Sequence, residues 1–296
     1  MTTQAIEKPR LSEQAVQRSR ALATQRVVQA IGPRIILIIM AIIYLVPLYW
    51  MFVTALKPAT ELSAFPPTFW PQDVRWDNFA KAVSYIPFWS YFLNTTIITV
   101  ANVIGAVLAN LVVAYGFSCI TWPGRDRVFF LVLATIFIPF PITIIPLFDL
   151  FAHLQWINTY LPLIVPTFFG SAFYVFMLRQ FMLQIPRDLL EAARIDGASE
   201  WQILRQVVTP MVAPTLAVVA IFTFVASWKD FLGPLIYLQD DSVRTLSVGL
   251  QVFRSTHDIQ FNLLMAASTL IVLPEIIIFL AFQRFFIRGL TIGAIR

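Results

Sequence analysis

The chain has 296 residues, 58% of them hydrophobic and 12% charged, with 21 Lys and Arg against 16 Asp and Glu and a mean hydropathy of +0.76. A soluble domain carries about 25% charged residues, so the composition excludes a water-covered globule, and the solvent for most of this protein is lipid. One cysteine, Cys119, excludes an intramolecular disulfide, and the two histidines, His153 and His257, have no metal-ligand spacing and read as boundary or loop residues.

Residues 1–30 are polar and mixed in charge, with no short apolar core followed by a small-residue cleavage site, and residues 1–34 are expected to form an N-terminal segment ahead of the first span. From Glu13 to Ile31 the pattern fits an amphipathic helix on a membrane surface and, equally, a disordered tail. A spanning helix needs about 20 apolar residues. Six segments meet that length, at 35–56, 91–116, 128–151, 160–178, 211–232 and 262–286, and make residues 35–296 a transmembrane domain. The first has 22 uncharged residues between Arg34 and Lys57, the third 21 between Arg127 and Asp149, and the fifth 23 between Arg205 and Lys229.

Between the first two spans, residues 58–90 mix five prolines with Phe65, Phe69, Trp70, Trp76 and Phe79, which suits an anchor at headgroup depth. The third span contains IPFPITIIP, with Pro139, Pro141 and Pro146. Proline removes a backbone donor and clashes with the preceding turn. In lipid the freed groups need protein or a water-filled cavity, so this segment is expected to face a pathway. The sixth span holds one acid, Glu275; a carboxylate at that depth is costly and marks function by default.

Six spans put both termini on one side. That side carries fifteen of the 21 basic residues, among them Arg125, Arg127, Arg179, Arg187, Arg194 and Arg205, against six on the other. Basic loops stay in the cytoplasm, so the termini and the 179–210 segment are expected there. The net charge of +5 thus reports membrane topology and not nucleic-acid binding.

The insert at 184–210 reads as two short helices. Pro186 suits the first helical position, and Gly197 the left-handed residue that ends a helix. Ser199 and Gln202 form the pattern of a capping box, and Pro210 closes the second helix. Ala198, Trp201, Leu204 and Val208 recur on one face of that helix, with Glu200, Gln202, Arg205 and Gln206 largely off it. Ala192 and Ala193 beside Glu191 permit close approach by another chain. Docking on a protein and lying on a membrane both fit this pattern.

Glu191, Ala192, Ala193, Gly197 and Pro210 stand at the spacing of the EAA motif, and the chain resembles the permeases of bacterial ATP-binding-cassette (ABC) importers. It departs from the motif at Val207, where Ile is usual, and at Thr209, where Leu is usual; a polar Thr209 is expected to weaken a local packing contact. FLGPLIYL at 231–238, TLSVGL at 245–250 and QRFFIRGLTIGA at 283–294 resemble the maltose-type carbohydrate branch.

The resemblance implies an all-α polytopic membrane protein of six spans, a type I importer permease fold with a cytoplasmic coupling helix. It implies that Glu191, Ala192, Ala193, Asp196, Gly197, Trp201 and Leu204 form the ATPase-coupling segment. Glu191 would offer a carboxylate to a basic partner and Gly197 would set the bend. Trp201 and Leu204 would either fill the ATPase cleft or pack under the spans. No glycine is followed by Lys-Ser or Lys-Thr, so no phosphate-binding loop is present. The chain is therefore read as no enzyme and as binding no cofactor, with ATP and Mg on a separate ATPase.

The implied partners are two ATPase subunits, a second non-identical permease, an extracytoplasmic solute-binding protein and the lipid of a bacterial inner membrane. The implied cargo is a di- or oligosaccharide or a glycerol-phosphate-like solute. A sugar pathway calls for polar groups and flat rings, and Asn94, Asn102, Asn110, Tyr115, Ser227 and Trp228 are the candidates. The alternative is an ion-coupled secondary transporter, which Glu275 and the Pro139–Pro146 segment suit loosely. It would leave the EAA segment without a use. The HExxH and GxSxG patterns of an intramembrane enzyme are absent.

Overall fold

The computed structural model describes residues 13–254 and 260–292, with side chains over 31–254 and 260–283. The basic residues of 1–12, His257 and the last residues of the 283–294 motif lie outside the described residues. The chain divides into two units, Met1–Val53 and Thr54–Arg296. In the first, helix α1 (Glu13–Ala55) starts well before the first span and continues into it, with Pro33 and Pro47 inside.

In the second unit α2 (Asp77–Tyr85) precedes α3 (Phe88–Ser118), whose 31 residues make a rod about 46 Å long. The buried face of α3 recurs every three or four residues, through Tyr91, Thr95, Ile98, Asn102, Ala106 and Asn110. Helix α4 (Arg125–Ala134) and α5 (Phe140–His153) meet at a bend of 98°. The break sits at Pro139 alone. Pro141 falls in the first turn of α5, where its missing N–H costs nothing, and Pro146 is carried inside the helix. The fourth span is a composite: α6 (Leu161–Ile164), a tight turn over Val165–Phe169, and α7 (Ala172–Met182). Pro162 sits harmlessly in the first turn of α6, while Pro166 and a left-handed Gly170 forbid one continuous helix there.

The insert contains α8 (Arg187–Ile195) and α9 (Glu200–Gln202). A π-helical turn over Ile203–Val208 joins α9 to α10 (Thr209–Trp228), so one rod runs from Glu200 to Trp228. The short helices α11 (Leu232–Tyr237) and α12 (Leu246–Gly249) follow, then α13 (Phe261–Ile292). Among the described residues five helical segments are long and apolar enough to cross a membrane, and the bent α4–α5 pair makes a sixth.

Helix α3 is the axis of this unit, flanked by α7 and α10, while α13 packs on α10 and α2. Two buried clusters lie at opposite ends of α3. At the insert end Ala114, Tyr115 and Phe117 meet Leu178, Met182, Leu190, Ile203, Leu204 and Val208. At the far end Phe88 and Tyr91 meet Trp228, Leu246, Phe253 and Leu263. Lipid supplies no hydrophobic drive between helices, so small and polar residues hold them. Gly105 illustrates this, because a Cβ there would stand 2.7 Å from the Phe168 ring.

Candidate functional site

The insert folds by local rules. Helix α8 begins after Pro186, which is the N-cap and not the first helical residue. It ends at Gly197, with φ +82°; the Gly197 N–H donates to Arg194 O at 3.0 Å and the Ala198 N–H to Ala193 O at 3.0 Å. This pair of bonds is the Schellman closure that a left-handed glycine permits. The Ser199 N–H donates to Gln202 Oε1 at 2.7 Å and the Gln202 N–H to Ser199 Oγ at 3.3 Å, completing the capping box.

The face of the second helix differs from the simple 3.6-residue expectation. Leu204 and Val208 are buried as expected and Ile203 joins them, but Trp201 is 63% exposed. The π turn is the reason, since its i→i+5 pattern shifts the register between Trp201 and Val208. Thr209 is not a weak packing point. Its hydroxyl donates to Leu204 O at 2.7 Å, as does its backbone N–H, so the polar group is satisfied inside the π turn.

The predicted coupling residues therefore separate. Glu191, Ala192, Asp196 and Trp201 face outward, Ala193 is half-buried against the core, and Leu204 is buried in it. Two outward residues escaped the sequence reading: Leu189, 46% exposed, and Ile195, 86% exposed. With Ala192 and Trp201 they give a polar loop an apolar outer surface. The signal was present in the three-residue spacing of Leu189, Ala192 and Ile195.

A carboxylate fastens the insert to α3. Glu200 accepts hydrogen bonds from the Tyr115 hydroxyl and from Arg194 Nε at 2.9 Å, and Arg194 Nη2 donates to Cys119 O at 3.2 Å. Arg194, and after it Tyr115, hold the Glu200 carboxyl below its ordinary range; the same contact raises the Arg194 guanidinium above its own.

Further along the same helices lies a cavity of about 370 Å³. Its walls are Asn102, Ala106 and Asn110 of α3, Leu163, Thr167, Gly170, Ser171 and Tyr174 from the fourth-span composite, and Thr223, Ala226, Ser227 and Asp230. Asn102 Nδ2 donates to Ser227 Oγ at 2.9 Å, and the Ser171 N–H donates to Asn110 Oδ1 at 2.7 Å. Asp230 accepts the Gly233 N–H at 3.3 Å, at the start of α11. Seven of the twelve lining residues carry a hydroxyl or an amide on a surface that is otherwise mostly apolar, and among the described residues no Lys, Arg or His contributes.

Of the predicted pathway residues, Asn102, Asn110 and Ser227 meet at this cavity, and the others do not. Asn94 donates to Ser242 O and Arg244 O at 2.9 and 2.8 Å and accepts from the Tyr160 hydroxyl. Trp228 is buried against Phe92 and Phe224, with its indole N–H on Ile271 O at 3.0 Å. Tyr115 is occupied by Glu200 at the insert end. The Pro139 segment does not line the cavity; Phe137 is 86% and Ile145 79% exposed on the outside of the unit. Glu275 is half-buried on α13 beside Ile276.

An all-helical bundle with a polar cavity, an outward apolar insert and a rod joining them defines a multi-pass membrane transport subunit. The chain belongs to the family described as "Binding-protein-dependent transport system inner membrane component", which its residues 101–292 match. It is therefore a translocation subunit and not an enzyme. It is 34% identical over 259 residues to the arabinooligosaccharides transport system permease protein AraQ of Halalkalibacterium halodurans, covering 86% of this chain and 92% of that one. It is 32% identical to the diacetylchitobiose uptake system permease protein NgcG of Streptomyces coelicolor, covering 88% and 87%. Its fold matches a bacterial ABC transporter involved in the import of the acidic polysaccharide alginate, with a TM-score of 0.76 at 21% identity over 88% of this chain and 98% of that one.

Proposed function

We propose that this chain forms half of the pathway of an ATP-driven importer for a di- or oligosaccharide or a glycerol-phosphate-like solute. The observation that carries this reading is one uninterrupted rod. It leaves the insert at Glu200, beside the exposed Trp201, and carries Thr223 and Ser227 into the wall of the polar cavity. An ATPase that displaces the insert also displaces that wall.

Leu189, Ala192, Ile195 and Trp201 are the contact with the ATPase, with Glu191 and Asp196 at its charged margin. Two copies of that ATPase bind ATP and Mg. The insert and both termini face the cytoplasm, as the basic-residue bias favours. A solute-binding protein delivers the sugar at the far end. Amides and hydroxyls in the cavity wall suit the hydroxyls of a sugar or a glycerol unit. The names of the arabinooligosaccharide, diacetylchitobiose and sn-glycerol-3-phosphate permease relatives support a solute of the sugar or glycerol-phosphate kind.

The second permease covers the Pro139 break. Broken backbone at membrane depth is tolerated only against protein or water, and Phe137, Ile138 and Ile142 lie outward there. A photo-cross-linker at position 201 tests the docking surface: capture of the ATPase subunit is expected, and capture of phospholipid alone overturns it. Uptake into proteoliposomes separates the ion-coupled alternative, since import that continues without the ATPase and collapses with an ion gradient refutes ATP coupling.

A further inference from the structure

We infer that Glu200 is a positioning residue that makes the α3 and α10 walls of the cavity move as one when the insert is displaced. This rests on the insert being the ATPase contact. Covalent continuity carries a displacement from Glu200 into α10, and so to Thr223 and Ser227. Nothing covalent near the insert carries it to α3, the adjoining wall, which bears Asn102 and Asn110.

The apolar cluster at the insert end joins the two helices, but apolar contact is non-directional and lets packed helices slide. The clasp on Glu200 is directional. One carboxylate oxygen accepts from Tyr115 in the last turn of α3, and the other accepts from Arg194 Nε in the last turn of α8. Arg194 Nη2 closes the ring on Cys119 O, the residue that caps α3, at 3.2 Å. One side chain thus gathers the ends of α3 and α8 and the start of the α9–α10 rod.

From Tyr115 to Asn102 is thirteen residues of unbroken helix, about 20 Å. A shift imposed on α8 therefore reaches Asn102 through α3 and Ser227 through α10. The Asn102–Ser227 bond of 2.9 Å joins the two walls again at the cavity. With the clasp intact the α3 and α10 walls keep their register; without it the end of α3 is held to α7, by Arg179 Nε on Phe117 O at 3.0 Å, and no longer to the start of the α9–α10 rod, so α10 follows the insert and α3 lags behind it. The expected defect is hydrolysis that no longer moves sugar, with assembly retained.

The test uses the complete importer, purified with its ATPase and binding protein and reconstituted, and reads sugar imported per ATP hydrolysed. Tyr115→Phe removes only the hydroxyl, and Glu200→Ala removes every bond to the carboxylate while leaving Arg194 on Cys119 O. Both are expected to retain the ATPase and hydrolyse ATP while the import ratio falls about five-fold or more. The double variant is expected to be no worse than Glu200→Ala, because the two groups act as one unit. An unchanged ratio in both single variants overturns the inference. So does a parallel fall of hydrolysis and uptake with loss of the ATPase, which marks a merely structural role. If the wild-type importer works without its ATPase, the functional reading fails first and the clasp with it; a fault confined to the variants concerns the clasp alone.

Discussion

Trp201 and Leu204 lie three residues apart on one helical turn, and they are expected to fail in opposite ways. Trp201 is 63% exposed in this chain. A fully covered tryptophan buries about 150–250 Å², so roughly 150 Å² is free for a partner to cover. At about 25 cal/mol per Å² this is worth up to about 4 kcal/mol. Ordering and desolvation at the interface consume part of that, leaving about 2 kcal/mol, or roughly a 30-fold loss of ATPase affinity for Trp201→Ala. The chain's own melting temperature should hold, because exposed substitutions cost about 0.5 kcal/mol or less. Leu204 is 3% exposed in the insert-end core, so Leu204→Ala leaves a cavity and costs the fold about 2–5 kcal/mol. Titrating ATPase onto the tagged permease, beside a thermal melt of the permease alone, separates the two. If Trp201→Ala binds the ATPase like wild type, or if it melts as low as Leu204→Ala, the assignment of outward and inward faces is wrong.

Other outcomes follow from the same geometry. Gly197→Ala meets no atom within 4 Å but must hold φ near +82°, so a loss of about 1–2 kcal/mol from backbone strain alone is expected; Asn at 197, which tolerates that region better, should recover part of it in a thermal melt. Gly105→Val drives a Cβ to 2.7 Å from Phe168 and 2.8 Å from Thr167 Oγ1, and overpacking of this kind costs about 1–3 kcal/mol, read as a lower melting temperature and reduced uptake. Because its partners hold Glu200 below the ordinary carboxylate range, its contribution is complete above that range and is lost only as pH falls through the lowered value. The melting difference between wild type and Glu200→Gln should then stay flat from about pH 8 to about pH 6; a difference that disappears within that window contradicts an ionised, paired Glu200.

The parts of this protein legible in the sequence are those governed by neighbours along the chain or by the solvent. Lipid offers backbone groups no partners, so apolar runs of sufficient length must be helices. The Ser199–Gln202 box and the Gly197 turn close within six residues and depend on nothing farther away. The pathway residues were less legible, because an Asn in a membrane helix reads the same whether it glues helices or lines a cavity. Asn102 finds Ser227 across 125 positions, whereas Asn94 finds the carbonyls of Ser242 and Arg244. Tyr115 is taken by Glu200, 85 positions away.

What the amino-acid order determined alone was a six-segment helical membrane protein with a capped, charged insert, since hydropathy and capping act over a few residues. Only the tertiary structure decided that Trp201 points out and Leu204 in, that the fourth span is assembled from pieces, and that a single carboxylate joins the insert to α3. The π turn breaks the periodicity from which a face is read, and partners dozens of residues apart become neighbours only when the helices pack.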